Sequence, residues 1–502
     1  MYAAKKMEQE EEDLTIPNIQ AQADHESEKN KVIPQIIATL ISNIGSFGAG
    51  CVFGWTSPII PKLKSKDSPL SVTMDDISWI GSLPSLGAMF GPFLGAYGSD
   101  NIGRKLTMLL IAAPWTLSWV LVAAAPETIT VFLGRFTQGL SFGAFFAVLP
   151  SYVGEISQEN IRGILSSMSQ IFITFGLLSQ YCIGPLVSYH VLTISCVFVP
   201  IVFVILFVFM PESPYFYLSK NRNDYAHKSL KWLRGHDDVN RELELIQDAV
   251  EEEMKNRGTY KDLFGNWVNL RALILVAGLL IGQQFSGINA ILFYAQSIFE
   301  KSNGSLSSAV PAITIGVVML VGAFIVPIFV DRLGRKPLLL FSAGGMIIGH
   351  MEKSVNVVRI EQYTSGQEPP CQRKKYRNSM GRLRRIVAGW AQHENVYEYL
   401  RANVLKYKIN AFGPIPWLMM SEMFAMNIRS KGAGIASCVC WTLSFCITRA
   451  FFPLEALIGP HFTVWVLGLF CAISGLGVFF FVPETRGKTL HEIQLLLGAR
   501  QE

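Results

Sequence analysis

A chain of 502 residues that is 50% hydrophobic and only 16% charged lies well under the roughly 25% charged residues usual in soluble domains. That balance excludes an ordinary soluble protein and points to one that crosses a membrane many times. The net charge of +5 comes without aromatic residues interleaved among the basic ones, so nucleic acid is excluded as a partner. Of the eight cysteines only Cys371 lies in a polar stretch; no disulfide framework, zinc spacing or other metal site is read, and no cofactor is expected.

In chain order, residues 1–34 read as a disordered cytosolic tail, acidic from Glu8 to Asp13, rather than a cleavable signal peptide. Apolar runs long enough for about 30 Å of hydrocarbon follow at roughly 35–61, 77–98, 106–125, 129–153, 164–187 and 191–210. These make a first helix bundle, 35–210. Arg135 is the one charge deep within it, either held inside the bundle or snorkelling outward. Residues 211–269 form a polar, helically patterned cytosolic linker domain. Spans resume at 271–299 and 309–330, then at 432–452 and 461–482, giving a second bundle, 270–482, before a cytosolic tail, 483–502.

Within the first of these later spans lies Gln283-Gln284-Phe285-Ser286-Gly287-Ile288-Asn289. Unpartnered amides in hydrocarbon are expensive, and three clustered at mid-membrane depth suit a neutral, hydroxyl-rich ligand, since each amide both donates and accepts. Ser286-Gly287 is where such a helix opens most easily.

Between Asp331 and Lys431 the pattern of spans breaks. Leu338 to Gly349 offers only about 18 Å of apolar helix and Ala411 to Met420 about 15 Å, so spans nine and ten read as truncated or replaced. The basic block between them, about 350–410, carries 12 Lys or Arg against 5 Asp or Glu in 351–410 and resists translocation. Leu383, Ile386, Trp390, Tyr397, Leu400, Val404 and Tyr407 recur at helical spacing. The block is either a basic amphipathic helix on the inner leaflet or a foreign insertion.

Charged sequences recur in order along the chain. Asp100-Asn101-Ile102-Gly103-Arg104-Lys105 returns as Asp331-Arg332-Leu333-Gly334-Arg335-Lys336. Glu155 with Arg162 returns as Glu422 with Arg429, and Pro211-Glu212-Ser213 as Pro483-Glu484-Thr485. Ordered recurrence means two homologous halves. An Asp at a helix end faces the positive N-terminus of a neighbouring helix, the glycine permits a tight turn, and the following Arg and Lys reach Glu155 or Glu422. Asp100, Arg104, Glu155, Arg162, Asp331, Arg332, Arg335, Glu422 and Arg429 thus form a conformational latch. The basic short loops place this end, and both termini, in the cytosol. Asn303-Gly304-Ser305 then lies outside, and Asn303 is a candidate glycosylation site.

These loops, with Gly134-Arg135-Phe136, Pro211-Glu212-Ser213-Pro214, the glutamine pair and Gly413-Pro414-Ile415-Pro416-Trp417, resemble the sugar porter family of the major facilitator superfamily, most closely its facilitated trehalose and glucose transporters. The resemblance covers about 35–350 and 411–495. It implies an all-α membrane protein with the major facilitator fold, two six-helix bundles around a central sugar site. The family's sugar contacts map onto Gln170, Gln283, Gln284, Asn289 and Trp417, where Trp417 is equally readable as packing. Two contacts depart from the family pattern: Met319 and Cys440 stand where it has asparagines. Asn101, Ala96 and Tyr215 also depart, and are expected to weaken the first latch more than the second. Proton-coupled relatives carry an acid beside a Gly-aromatic pair in the first span; here Gly54-Trp55 precedes Thr56, and no acid occurs between Val32 and Pro61.

The expected function is facilitated uniport of a sugar, trehalose or a hexose, by a monomeric, multi-pass transporter of the plasma membrane whose partners are the sugar and the lipid bilayer. The alternatives are a non-transporting sugar receptor or inactive paralogue, because spans nine and ten are disrupted, and a proton-coupled symporter. An enzyme is disfavoured, since no nucleophile, base and orienting group occur together.

Overall fold

The computed structural model describes residues 31–66, 68–256, 258–300, 309–364, 413–425, 427–488 and 490–498. Asn303, the tail to residue 30 and the patterned segment 383–407 lie outside the described residues.

Six helices make the first half: α1 (Ile33–Leu63), α2 (Met74–Ile102), α3 (Arg104–Ala123), α4 (Thr128–Ile156), α5 (Glu159–Ile183) and α6 (Tyr189–Phe207). Four short ones follow: α7 (Pro214–Ser219), α8 (Asn223–Arg234), α9 (Asn240–Lys255) and α10 (Tyr260–Gly265). The second half holds α11 (Trp267–Phe285), α12 (Ile288–Glu300), α13 (Ala309–Leu333), α14 (Arg335–Thr364), α15 (Ile415–Met423), α16 (Arg429–Ile458), α17 (Pro460–Phe481) and α18 (Leu490–Leu496). Among the described residues no strand occurs and ten segments are long and apolar enough to cross a membrane, α11 and α12 counting as one.

Local chemistry sets several starts. At α2, Asp76 N donates to Thr73 Oγ1 at 3.2 Å while Thr73 N donates to Asp76 Oδ2 at 2.8 Å, a reciprocal cap that satisfies two N-terminal donors. Thr259 and Asp262 repeat it at α10. The apolar stretch 338–349 lies within a longer helix: α14 runs 30 residues to Thr364, about 45 Å, but is not among the ten segments apolar enough to cross. The stretch after Gly349 is too polar to read as a span, yet up to Thr364 it contains neither Gly nor Pro to stop a helix. In contrast, α15 has nine residues, opened by Pro414 and Pro416 at positions where proline is tolerated.

The first half packs α2 on α4, α1 on α5, and α3 on α4 and α6; the second packs α14 on α17 and α11 on α16. Each half has its own apolar core, and a third, small core of Leu218, Ala226, Leu230, Val239, Ile246 and Val250 holds the linker. The linker is tied to the first half where buried Arg234 pairs with Glu242 at 2.6 Å and donates to the Ile156 carbonyl at 3.0 Å. Among the described residues, three elements of the second half reach into the first half's core: Ala290 to Ala295 of α12, Ala312 and Ile315 of α13, and Phe452 of α16 are buried in it. The break before α12 frees it to leave the direction of α11. Tyr181 Oη then donates to the Leu292 carbonyl at 2.6 Å, and Gln296 N to Ser57 Oγ at 3.1 Å.

Candidate functional site

The break falls where the sequence is weakest. Helix α11 ends at Phe285, and Gly287 has φ +76°, in the left-handed region that a residue with a Cβ avoids. Gln283 and Gln284 end one helix and Asn289 starts the next, so three amides converge on the gap. Gln283 Nε2 donates to the Gly413 carbonyl at 2.7 Å. Gln284 Nε2 donates to Cys440 Sγ at 3.0 Å, and its Oε1 accepts from Asn289 Nδ2 at 2.7 Å. The same Asn289 Nδ2 donates to Ser444 Oγ at 2.7 Å, and Ser444 Oγ meets Ser85 Oγ of the other half at 2.8 Å.

An aromatic wall adjoins this polar chain. The Trp417 and Trp441 rings lie 6.4 Å apart, and Trp441 is 5.3 Å from Phe142 and 6.2 Å from Phe53. Amides that donate and accept, beside flat apolar faces, can hold a ring bearing hydroxyls. Gln170 is half-buried and donates to Thr174 Oγ1 at 3.4 Å, and no described contact joins it to the amides. Met319 packs against the first half's core. Cys440, read from sequence as a lost partner, is fully buried and accepts from Gln284; its thiol takes over part of the absent amide's role. Ser85 and Ser444 escaped the sequence reading, because a lone serine in an apolar helix carries no signal apart from the partner it meets.

Arg135 does not snorkel: it is fully buried. It donates to the carbonyls of Ile80 at 3.1 Å and Val52 at 3.2 Å, to Gln138 Oε1 at 2.8 Å and to Thr56 Oγ1 at 2.7 Å. The Trp55 ring lies 5.1 Å from the guanidinium carbon, within reach of a cation–π contact. All these acceptors are neutral. They take four of the fork's five donors, where a single carboxylate would occupy one edge of it.

The paired loops have matching geometry at one end of the molecule. Arg104 Nη2 meets Glu155 Oε1 at 2.9 Å, and Arg335 Nη2 meets Glu422 Oε1 at 2.9 Å. Both ion pairs are thus formed at the same distance: Asn101 turns its amide to the Tyr97 carbonyl of its own helix at 2.8 Å and leaves the Arg104–Glu155 pair intact. Arg162 donates to the Ser157 carbonyl at 3.4 Å instead of reaching Glu155, Arg332 is exposed, and Arg429 is half-buried. The Asp331 side chain lies outside the described residues, and no described geometry places Asp100 at a helix N-terminus.

The carboxylates that do cap helix N-termini are Glu212 and Glu484. Glu212 accepts from Arg104 N at 3.0 Å and Lys105 N at 2.9 Å; Glu484 accepts from Arg335 N and Lys336 N, each at 2.9 Å. Their signal was the repeated Pro-Glu, visible in the sequence as a repeat but without an assigned partner.

Burial holds the Glu212 carboxyl above the usual range despite the donors of Ser213, Lys105 and Arg104. Burial also pushes Glu484 upward, but the backbone N–H groups of Arg335, Arg486, Lys336 and Thr485 outweigh it and leave the carboxyl below its usual value. A lowered native pKa adds stability that is full above the ordinary carboxylate value, about 4.3, and is lost as pH falls through the native one. Glu212, shifted the opposite way, destabilises when it ionises. Acidification from about pH 5 to 3 is therefore expected to destabilise the protein in part through Glu484, and Glu484→Gln to flatten that part of the loss, as read by thermal denaturation in detergent across this range.

The chain matches the family model "Sugar (and other) transporter" over residues 23–361 and 408–497. It is 34% identical over 472 residues to a facilitated trehalose transporter, Tret1, of Bombyx mori, covering 93% of this chain and 88% of that protein. It is 32% identical over 475 residues to a Tret1-2 homolog of Drosophila sechellia, covering 94% and 92%. The proton:xylose symporter XylE bound to 6-bromo-6-deoxy-D-glucose shares the fold, with a TM-score of 0.71 at 24% identity over 93% of this chain and all of that one.

Proposed function

This chain belongs to the sugar transporter family, a multi-pass membrane protein that carries sugar by facilitated transport and is not an enzyme, and we propose that its cargo is trehalose or a hexose, moved by alternating access. The observation that carries this reading is the hydrogen-bonded chain of Gln284, Asn289 and Ser444 at the break in the seventh span. It sets exchangeable amides at the meeting of the two halves, where a sugar's hydroxyls can replace each bond in kind.

The contacts between halves support the cycle. Asp75 pairs with Arg449 at 2.5 Å, and Tyr294 Oη donates to the carbonyls of Ser78 at 3.4 Å and Thr448 at 3.3 Å. All lie toward the ends of α2 and α16 remote from the Arg104 and Arg335 latches. With the latches cytosolic, both termini are cytosolic and this conformation is closed outside. The latch role of Asp100, Arg104, Glu155, Arg162, Asp331, Arg332, Arg335, Glu422 and Arg429, the sugar contacts of Gln170, Gln283, Gln284, Asn289 and Trp417, and a monomer in the plasma membrane belong to the same proposal.

Uniport is favoured over proton symport by the neutral surroundings of Arg135. A titratable carboxylate against that cation would couple its charge to the cycle, and Thr56 supplies only a hydroxyl. Purified protein in liposomes is expected to take up labelled trehalose or glucose down its gradient, with initial rates unchanged by an imposed proton gradient. Gradient-driven accumulation would overturn uniport. Binding without uptake would favour the receptor reading, which draws on the nine-residue α15.

A further inference from the structure

We propose that Ser85 is a positioning residue of the transport cycle: through Ser444 it holds the two halves together on the outer side until a sugar oxygen replaces Ser444 as the acceptor of the Asn289 N–H hydrogen bond. This rests on the reading of Asn289 as a sugar contact. The carboxamide nitrogen of Asn289 has two N–H groups, and both are committed, to Gln284 Oε1 and to Ser444 Oγ, each at 2.7 Å. To donate to a sugar it must release one of them. Ser444 is the cheaper to release. It keeps Ser85 at 2.8 Å, whereas Gln284 has its nitrogen on Cys440 and its oxygen on Asn289, so the loss would strand a buried acceptor.

Either hydroxyl of the Ser85–Ser444 pair can donate; with Ser444 Oγ accepting from Asn289, Ser444 is taken as the donor to Ser85. An N–H···O–H···O chain strengthens each of its members. Redirecting the amide N–H from Ser444 to the sugar therefore weakens the one bond in the chain that joins the two halves. That bond is the base of the seam between α2 and α16, below the Tyr294 bridge to Ser78 and Thr448 and the Asp75–Arg449 pair. Ser85 and Ser444 are both buried, with exposures of 0% and 1%, so no water competes for the pair in this closed state.

The test uses Ser78→Cys in the full chain as a reporter. Ser78 is 1% exposed within the seam, so a membrane-impermeant thiol reagent added outside reaches it only when the seam opens; labelling is read as the increment over the chain without the reporter. Saturating trehalose, or glucose, is expected to raise the labelling rate by up to about 1.7-fold, since the bond loses about 10–30% of its strength and is not broken. Ser85→Ala, which removes the bond, is expected to raise sugar-free labelling about five-fold, the factor for one net hydrogen bond, and to blunt the response to sugar, and Ser85→Thr to restore both. Asn289→Ala is expected to raise sugar-free labelling non-additively with Ser85→Ala, which a general loosening of the fold would not produce.

Unchanged sugar-free labelling in Ser85→Ala, or full additivity of the two substitutions, overturns the proposal. If Ser85→Ala opens the seam but neither sugar acts on the Ser85 protein and Asn289→Ala leaves sugar affinity unaltered, the lock stands and the sugar-site reading falls.

Discussion

Gln284→Ala is expected to lower kcat/KM for uptake of labelled trehalose or glucose by about 30-fold. The side chain lies between Cys440 and Asn289, at 3.0 and 2.7 Å. Its removal takes away both an amide donor and an amide acceptor for the sugar's hydroxyls, each at about 1 kcal/mol. Together these amount to roughly 2 kcal/mol, and 1.4 kcal/mol is one decade in rate or affinity. Concentration-dependent uptake in liposomes, normalised to protein, gives the ratio. A fall of less than about three-fold would remove Gln284 from the sugar site. Gly434→Ala is the matched control, since a Cβ there meets nothing within 4 Å.

The second large effect is expected at the turn between α13 and α14. Gly334 has φ +91°, and a Cβ at this position would stand 2.7 Å from Glu484 Oε2. Gly334→Val forces a β-branched residue into the left-handed region, at roughly 1–3 kcal/mol. It also displaces the carboxylate that accepts from Arg335, Lys336 and Arg486, each at 2.9 Å, at a further 1–3 kcal/mol for charge-assisted bonds. The loss is expected as a lower thermal midpoint in detergent and a severalfold smaller folded yield. Gly103, with φ +100° and Glu212 in the corresponding place, predicts the same outcome for Gly103→Val. A wild-type midpoint in either variant would show that Glu212 or Glu484 can move aside without cost.

Membrane crossing, the two-half organisation and the amide cluster were legible in the sequence because each depends on local composition. A 20-residue apolar run has one stable fate in hydrocarbon, an ordered repeat of charged loops records two related halves, and Gln283, Gln284 and Asn289 betray themselves by their cost in an apolar run. The break at Gly287 was legible for the same reason, since glycine is the residue that reaches positive φ without strain.

What tertiary structure decided were the partners. Nothing in the sequence says that Cys440 serves Gln284, that Ser85 meets Ser444 from the other half, or that Glu212 and Glu484 cap the helices after Gly103 and Gly334. Arg135 was open between snorkelling and burial until Ile80, Val52, Gln138 and Thr56 supplied its acceptors. A hydrogen bond depends on distance and direction between atoms that sequence separation leaves free, 359 residues in the case of Ser85 and Ser444. Local propensity and hydropathy thus set the spans and the place of the amide cluster, while the packing of two bundles chose which polar groups answer one another inside it.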